Sequence, residues 1–116
     1  MDKMSRYRAL CRRIVRDIAK TIEGQEDRLP KDLETVSVCD NQTGQYLLMN
    51  IGWQDGRRVR GTSVHLRLKG GKIWVEDDMT NLDIAEQLVE AGVPKKDIVL
   101  GFQPPDRRKY TDFAAA

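Results

Sequence analysis

The residues of this 116-residue chain best suited to chemistry lie between His65 and Asp78. His65 is the only histidine, so no histidine cluster can form, and Glu76, Asp77 and Asp78 alone do not supply the ligand set of a typical zinc site. Oxygen ligation of Mg²⁺ or Ca²⁺ by these acids is chemically open. An acidic turn that prefaces a helix and suits its dipole explains them more simply. Paired with Glu76 across a sheet, His65 would have one ring nitrogen held; general acid–base work would also need a pocket with a substrate group in reach. Arg67 and Trp74 offer a cation–π contact, worth about 0.5–1 kcal/mol when exposed. Both residue types concentrate binding energy at protein interfaces. A nucleobase could stack on Trp74, but an RNA-reading sheet normally presents more than one aromatic. These residues favour a binding surface, with no catalytic residue, cofactor or metal expected.

The element that must position them is a hairpin. Residues 61–76 read G-T-S-V-H-L-R-L-K-G-G-K-I-W-V-E, two alternating runs around Gly70-Gly71, a pair suited to the positive-φ positions of a tight primed turn. A two-residue loop sets Lys69 opposite Lys72, Leu68 opposite Ile73, Arg67 opposite Trp74, Leu66 opposite Val75 and His65 opposite Glu76. Val64, Leu66, Leu68, Ile73 and Val75 then face a core, while Ser63, His65, Arg67, Trp74 and Glu76 share the other face.

The flanking segments supply the rest of one domain, residues 1–116. Tyr7, Leu10, Cys11, Ile14, Ile18 and Ile22 recur at helical spacing, with Val15 widening the stripe, so residues 5–22 form an amphipathic helix capped by Ser5 and stopped at Gly24. Gln25 to Asp32 is a loop. Strands follow at Leu33–Cys39 and Gln45–Trp53, joined by the turn-forming D-N-Q-T-G run. In the second strand Leu47, Met49, Ile51 and Trp53 share one face and Tyr46, Leu48 and Asn50 the other, with both expected to be largely covered. Thr80 with Asp83 resembles a capping box for a helix to about Ala91 that buries Leu82, Ala85, Leu88 and Val89. Lys96–Phe102 is a short strand at the sheet edge. The aromatic Tyr110 and Phe113 imply that the C-terminal segment lies back on the domain or on a partner subunit. The fold expected is α+β: an N-terminal helix, an antiparallel four-strand meander, a second helix, a short additional strand and an ordered C-terminal segment.

Net charge is only +2, yet it is segregated. Arginines load the first helix, a second basic block runs from Arg57 to Lys72, and acids follow from Glu76 to Glu90. Complementary subunit surfaces or nucleic acid would both suit such a distribution. Cys11 and Cys39 form neither a disulfide framework nor a metal motif, which fits a reducing cytoplasm. No apolar run approaches a membrane span, and M-D-K-M-S-R lacks the core of a secretory signal.

Taken together, Y-L-L-M-N-I-G-W from Tyr46, V-H-L-R-L-K-G-G-K-I-W-V-E-D-D from Val64, I-A-E-Q-L-V-E-A-G-V-P-K-K-D-I-V-L-G-F from Ile84 and P-P-D-R-R-K-Y-T-D-F-A from Pro104 strongly resemble the XisI-like family of cyanobacteria. The resemblance implies a compact α+β accessory factor associated with controlling excision of the fdxN element, a developmentally regulated DNA rearrangement. It also implies a XisH-like protein partner. It brings no catalytic residues to carry over. Gln103 stands where many relatives have histidine and can still hydrogen-bond.

The functional expectation is a non-enzymatic accessory protein acting through protein–protein contacts and self-association. Its interface is placed at His65, Arg67, Trp74, Glu76, Gln103, Arg107, Tyr110 and Phe113. The alternative is direct nucleic-acid binding through Arg8, Arg12, Arg16, Arg57, Arg58 and Arg60. A small hydrolase built around His65 is the third and weakest reading.

Overall fold

A computed structural model describes residues 2–24 and 32–116, so most of the loop expected at 25–32 lies outside the described residues. Helix α1 (Lys3–Glu23) begins one turn earlier than its apolar stripe requires. Asp2, not Ser5, is the N-cap: its carboxylate accepts the Ser5 backbone N–H at 2.7 Å, because the shorter Ser5 side chain lies already inside the first turn. Gly24 closes the helix as expected.

Strands β1 (Leu33–Asp40), β2 (Gln45–Gln54), β3 (Arg57–Lys69) and β4 (Lys72–Asp78) form the antiparallel meander. Strand β5 (Ile98–Leu100) adds to its edge parallel to β4. Helix α2 (Ile84–Glu90) and a 3₁₀ turn (Lys95–Asp97) precede β5, and helix α3 (Pro105–Arg108) follows it.

One face of the sheet carries the core. Tyr46, Leu48, Val64, Leu66 and Ile73 are fully buried, as are Ile84 and Leu88 from α2 and Cys11 and Val15 from α1. Tyr7, Ile14 and Ile18 extend the same cluster. Each large aliphatic side chain so buried contributes about 1.5–3 kcal/mol before entropy is counted. Among the described residues the only buried charged one is Asp97, 7% exposed. It accepts the Tyr7 hydroxyl at 2.5 Å and pairs with Lys3 at 3.2 Å, tying the start of α1 to the entry of β5.

Strand β2 meets β1 closely at Gly52. Its φ is +148°, and an added Cβ would lie 1.9 Å from the Asp32 carbonyl oxygen, so no other residue fits without moving the strand. The Asp32 carbonyl accepts the Trp53 N–H at 2.9 Å across this contact.

The Gly70-Gly71 hairpin pairs as expected from Lys69↔Lys72 through Leu66↔Val75. Beyond that the register shifts, and His65 stands opposite Asp77 instead of Glu76, which becomes the extra residue of a β-bulge. The bulge has a clear purpose in the packing. It brings Asp78 opposite Val64, on the side of the helices, where its carboxylate accepts the Ile84 backbone N–H at 3.0 Å and the Thr80 hydroxyl at 2.7 Å. With the chain wound around Asp78, the cap of α2 falls to Asp83, in the left-handed region at φ 47°, rather than to Thr80. Leu82, expected in the core, is consequently 48% exposed. A second register shift, between Leu48 and Met49, leaves Ser63 unpaired on β3, and its carbonyl accepts the Met79 N–H at 2.8 Å.

Candidate functional site

The opposite face of the sheet is different. Cross-strand pairing lines up Asp40, Gln45, Arg67, Trp74 and Val99 in one row that crosses all five strands. A second row runs Val38, Leu47, His65, Asp77, and a third Val36, Met49, Thr62. Helices α1 and α2 serve the core on the other side. The C-terminal segment reaches this outer side at its β4–β5 end.

There Trp74 is the centre of a cationic cluster. Arg67 lies 6.0 Å from the ring centroid, Arg108 5.1 Å and Lys69 5.1 Å. The indole N–H donates to the Lys69 carbonyl at 3.2 Å, which fixes the ring against its own hairpin. Arg108 is held from the other side: Nε donates to the Gln103 carbonyl at 3.0 Å and an Nη to the Gly101 carbonyl at 3.2 Å. Val99, level with Trp74, is fully buried under this segment, and Ala114 bridges to it in parallel. Arg67 Nε is buried and has no hydrogen-bond partner. Among the described residues the only ion pair within 4.0 Å is Lys3–Asp97, so no carboxylate neutralises Arg67, Lys69 or Arg108 at contact distance.

The other residues named from the sequence fall in several places. His65 is half-buried with a ring nitrogen 2.6 Å from the Gln45 carboxamide oxygen; Glu76 does not hold it, because the bulge takes Glu76 out of register. The acid opposite His65 is Asp77, and the ring nitrogen is engaged by Gln45. The Glu76 carboxylate lies instead against Gly101, where an added Cβ would meet it at 2.3 Å. Gln103 serves the cluster through its backbone carbonyl. Arg107 is exposed, while its neighbour Arg108 makes the contact with Trp74. A four-residue helix turns only one of two adjacent arginines back to the sheet, and a run of basic residues gives no hint which. Phe113 packs against the main core, but Tyr110 is 80% exposed and does not lie back on the domain.

The nucleic-acid set is divided. Arg8 and Arg12 line one surface depression with Asn41, in the turn at the Gln45 end of β2. Arg57 and Arg58 pair with Gln54 and Trp53 at the other end of that ten-residue strand, about 30 Å away at 3.3 Å per residue. Arg16 is exposed on α1. The β2–β3 ribbon runs past the last β4 pairing at Val64 and turns at Asp55-Gly56, both at positive φ. Trp53 on this ribbon is 52% exposed with Arg58 5.6 Å from its ring, so the face it shares with Leu47, Met49 and Ile51 is not covered as expected.

Of the titratable groups, Tyr7 is pushed up to about 12 by burial and by Asp97, while its hydroxyl, with Lys3 behind it, holds Asp97 below the ordinary carboxylate range. Burial pushes the Cys11 thiol up to about 12. All three sit on the core side. No helix among the described residues is long and apolar enough to cross a membrane.

These features define an α+β protein with α1 and α2 on one side of a five-stranded sheet and a second side open except where the C-terminal segment meets it. Residues 1–115 match the family described as XisI protein, and the chain belongs to that family. It is similar to the crystal structure of a XisI-like protein from Anabaena variabilis ATCC 29413, with TM-score 0.86 and 35% identity over 97% of this chain and 99% of that one. It is also similar to the fdxN element excision controlling factor XisI of the same organism, with TM-score 0.79 and 36% identity over 99% of this chain and 100% of that one. No curated protein matches.

Proposed function

We propose that this protein is a non-enzymatic accessory factor in the control of DNA element excision, and that it works by holding a protein on the outer face of its sheet. One observation carries the reading: Val36, Leu47, Met49 and Ile51 stand half-buried on that face beside exposed Val38 and Trp53, a contiguous apolar surface flanked by Arg67 and Trp74. Soluble domains rarely leave such a surface without a use, and aromatic–arginine clusters anchor protein contacts. The relative named as an excision controlling factor supports the process, and a XisH-like protein or a second copy of this chain is the partner proposed.

The test is copurification from the native cell with tagged protein, followed by size measurement of the complex. Trp74→Ala is expected to lose the partner while circular dichroism stays native. Undiminished recovery with the folded variant would remove the Trp74 surface from the interface.

The ribbon carrying Trp53, Arg57, Arg58 and Arg60 favours a second reading, contact with DNA through phosphates. It predicts affinity for duplex DNA that falls steeply with salt as counterions are released. Absence of binding at low salt would dispose of it.

A further inference from the structure

We infer that the Trp74 cluster receives a carboxylate-bearing, partly apolar protein segment, so that the partner's contacting stretch is acidic. The inference rests on the protein-binding reading above and specifies the chemistry of what is bound. Two guanidinium groups and an ammonium lie within 6.0 Å of one indole centroid, with no carboxylate among the described residues in ion-pair contact. Like charges so gathered repel one another, and an incoming anion relieves that repulsion. A guanidinium matches a carboxylate in bidentate geometry, and the accessible parts of these side chains, not the sealed Nε of Arg67, would meet it. Arg108 is already anchored to two backbone carbonyls, so less of its side-chain freedom is lost on binding.

The surroundings select a peptide over a nucleic-acid strand. Asp77, level with His65 in the adjoining row, would repel a continuing line of phosphates. Leu47 and Val38, further along that row, offer apolar surface that a phosphodiester chain does not use. The other arginines, on the ribbon and beside Asn41, do not extend the cluster into a backbone track. A segment with one or two acids beside an aliphatic side chain satisfies all of these positions together.

The test uses the full chain carrying Trp53→Phe, which leaves Trp74 as the only tryptophan. Its emission is followed during titration with the acetylated, amidated pentapeptide Leu-Glu-Leu-Glu-Leu, its Gln-for-Glu counterpart, and a short duplex DNA. The acidic peptide is expected to saturate with Kd below about 1 mM, and the glutamine peptide to bind about tenfold more weakly. Arg108→Gln and, at the exposed position, Lys69→Gln should each weaken the acidic peptide severalfold with unchanged circular dichroism. Equal binding of both peptides, no saturation by the acidic one, or DNA saturating the Trp74 signal at lower concentration would each overturn the inference. A native partner lost with Trp74→Ala but retained by Arg108→Gln and Lys69→Gln would leave the protein-binding reading standing and remove only the acidic segment.

Discussion

The two sides of one sheet, built from the same strands, carry opposite kinds of surface. On the inner side Tyr46, Leu48, Val64, Leu66, Ile73 and Val75 are sealed beneath two helices. On the outer side, residues one position along the same strands stay half-buried or open, and the one covered corner is held by charge around an indole. Strand periodicity makes this division possible, because alternate residues answer to different neighbours. The side chains that hold the fold and those of the proposed binding face can therefore vary independently in a chain of only 116 residues.

The largest test of that division compares equal truncations on its two sides. Leu66→Ala is expected to lose about 2–5 kcal/mol in urea denaturation, through lost burial and the cavity left behind. Leu47→Ala, on the outer side, should lose less than about 1.5 kcal/mol. Comparable losses would mean that the outer face is already packed within the monomer.

A smaller effect sharpens the account of the inner side. Tyr7→Phe removes the leading cause of the low Asp97 value and should destabilise by about 1–2 kcal/mol at neutral pH. A carboxyl held below its unfolded value contributes stability above that value, near pH 4, and loses it as pH falls through the folded value. The gap between variant and parent should therefore narrow below about pH 4 in acid denaturation. A gap that stays constant with pH would show that the packing of the hydroxyl itself, not its bond to the anion, matters.

The smallest effect is chemical. Cys11 is fully buried with its thiol pushed up to about 12, while Cys39 is half-buried on the edge strand. Alkylation of the native protein near pH 8 should label Cys39 well before Cys11. Reversal of that order would place an opening in the inner layer.

Much of the fold is legible in local pattern. The α1 stripe, the Gly70-Gly71 turn and the alternation of Leu66, Leu68, Ile73 and Val75 each respond to forces acting within a few residues. The family resemblance was legible too, in runs spread from Tyr46 to Ala114. What escaped depends on distant neighbours. Asp97 and Tyr7 are 90 positions apart, and nothing near either one predicts their bond. Both register shifts follow from what the far end of a strand must reach, and so did the wrong partner for His65. The Trp74 and Arg67 pairing followed from the turn alone, whereas the place of Arg108 in the cluster depended on how a short helix folds back.

The extra residue at Glu76 carries a consequence for how this chain can change. Because it has no partner of its own, its deletion would leave Asp77 opposite His65 and Asp78 opposite Val64. The α2 entrance would keep its carboxylate, and only the local twist and the Glu76 contact at Gly101 would go. At this one position length is thus loosely constrained, and a chain shortened there should keep both α2 and the hairpin.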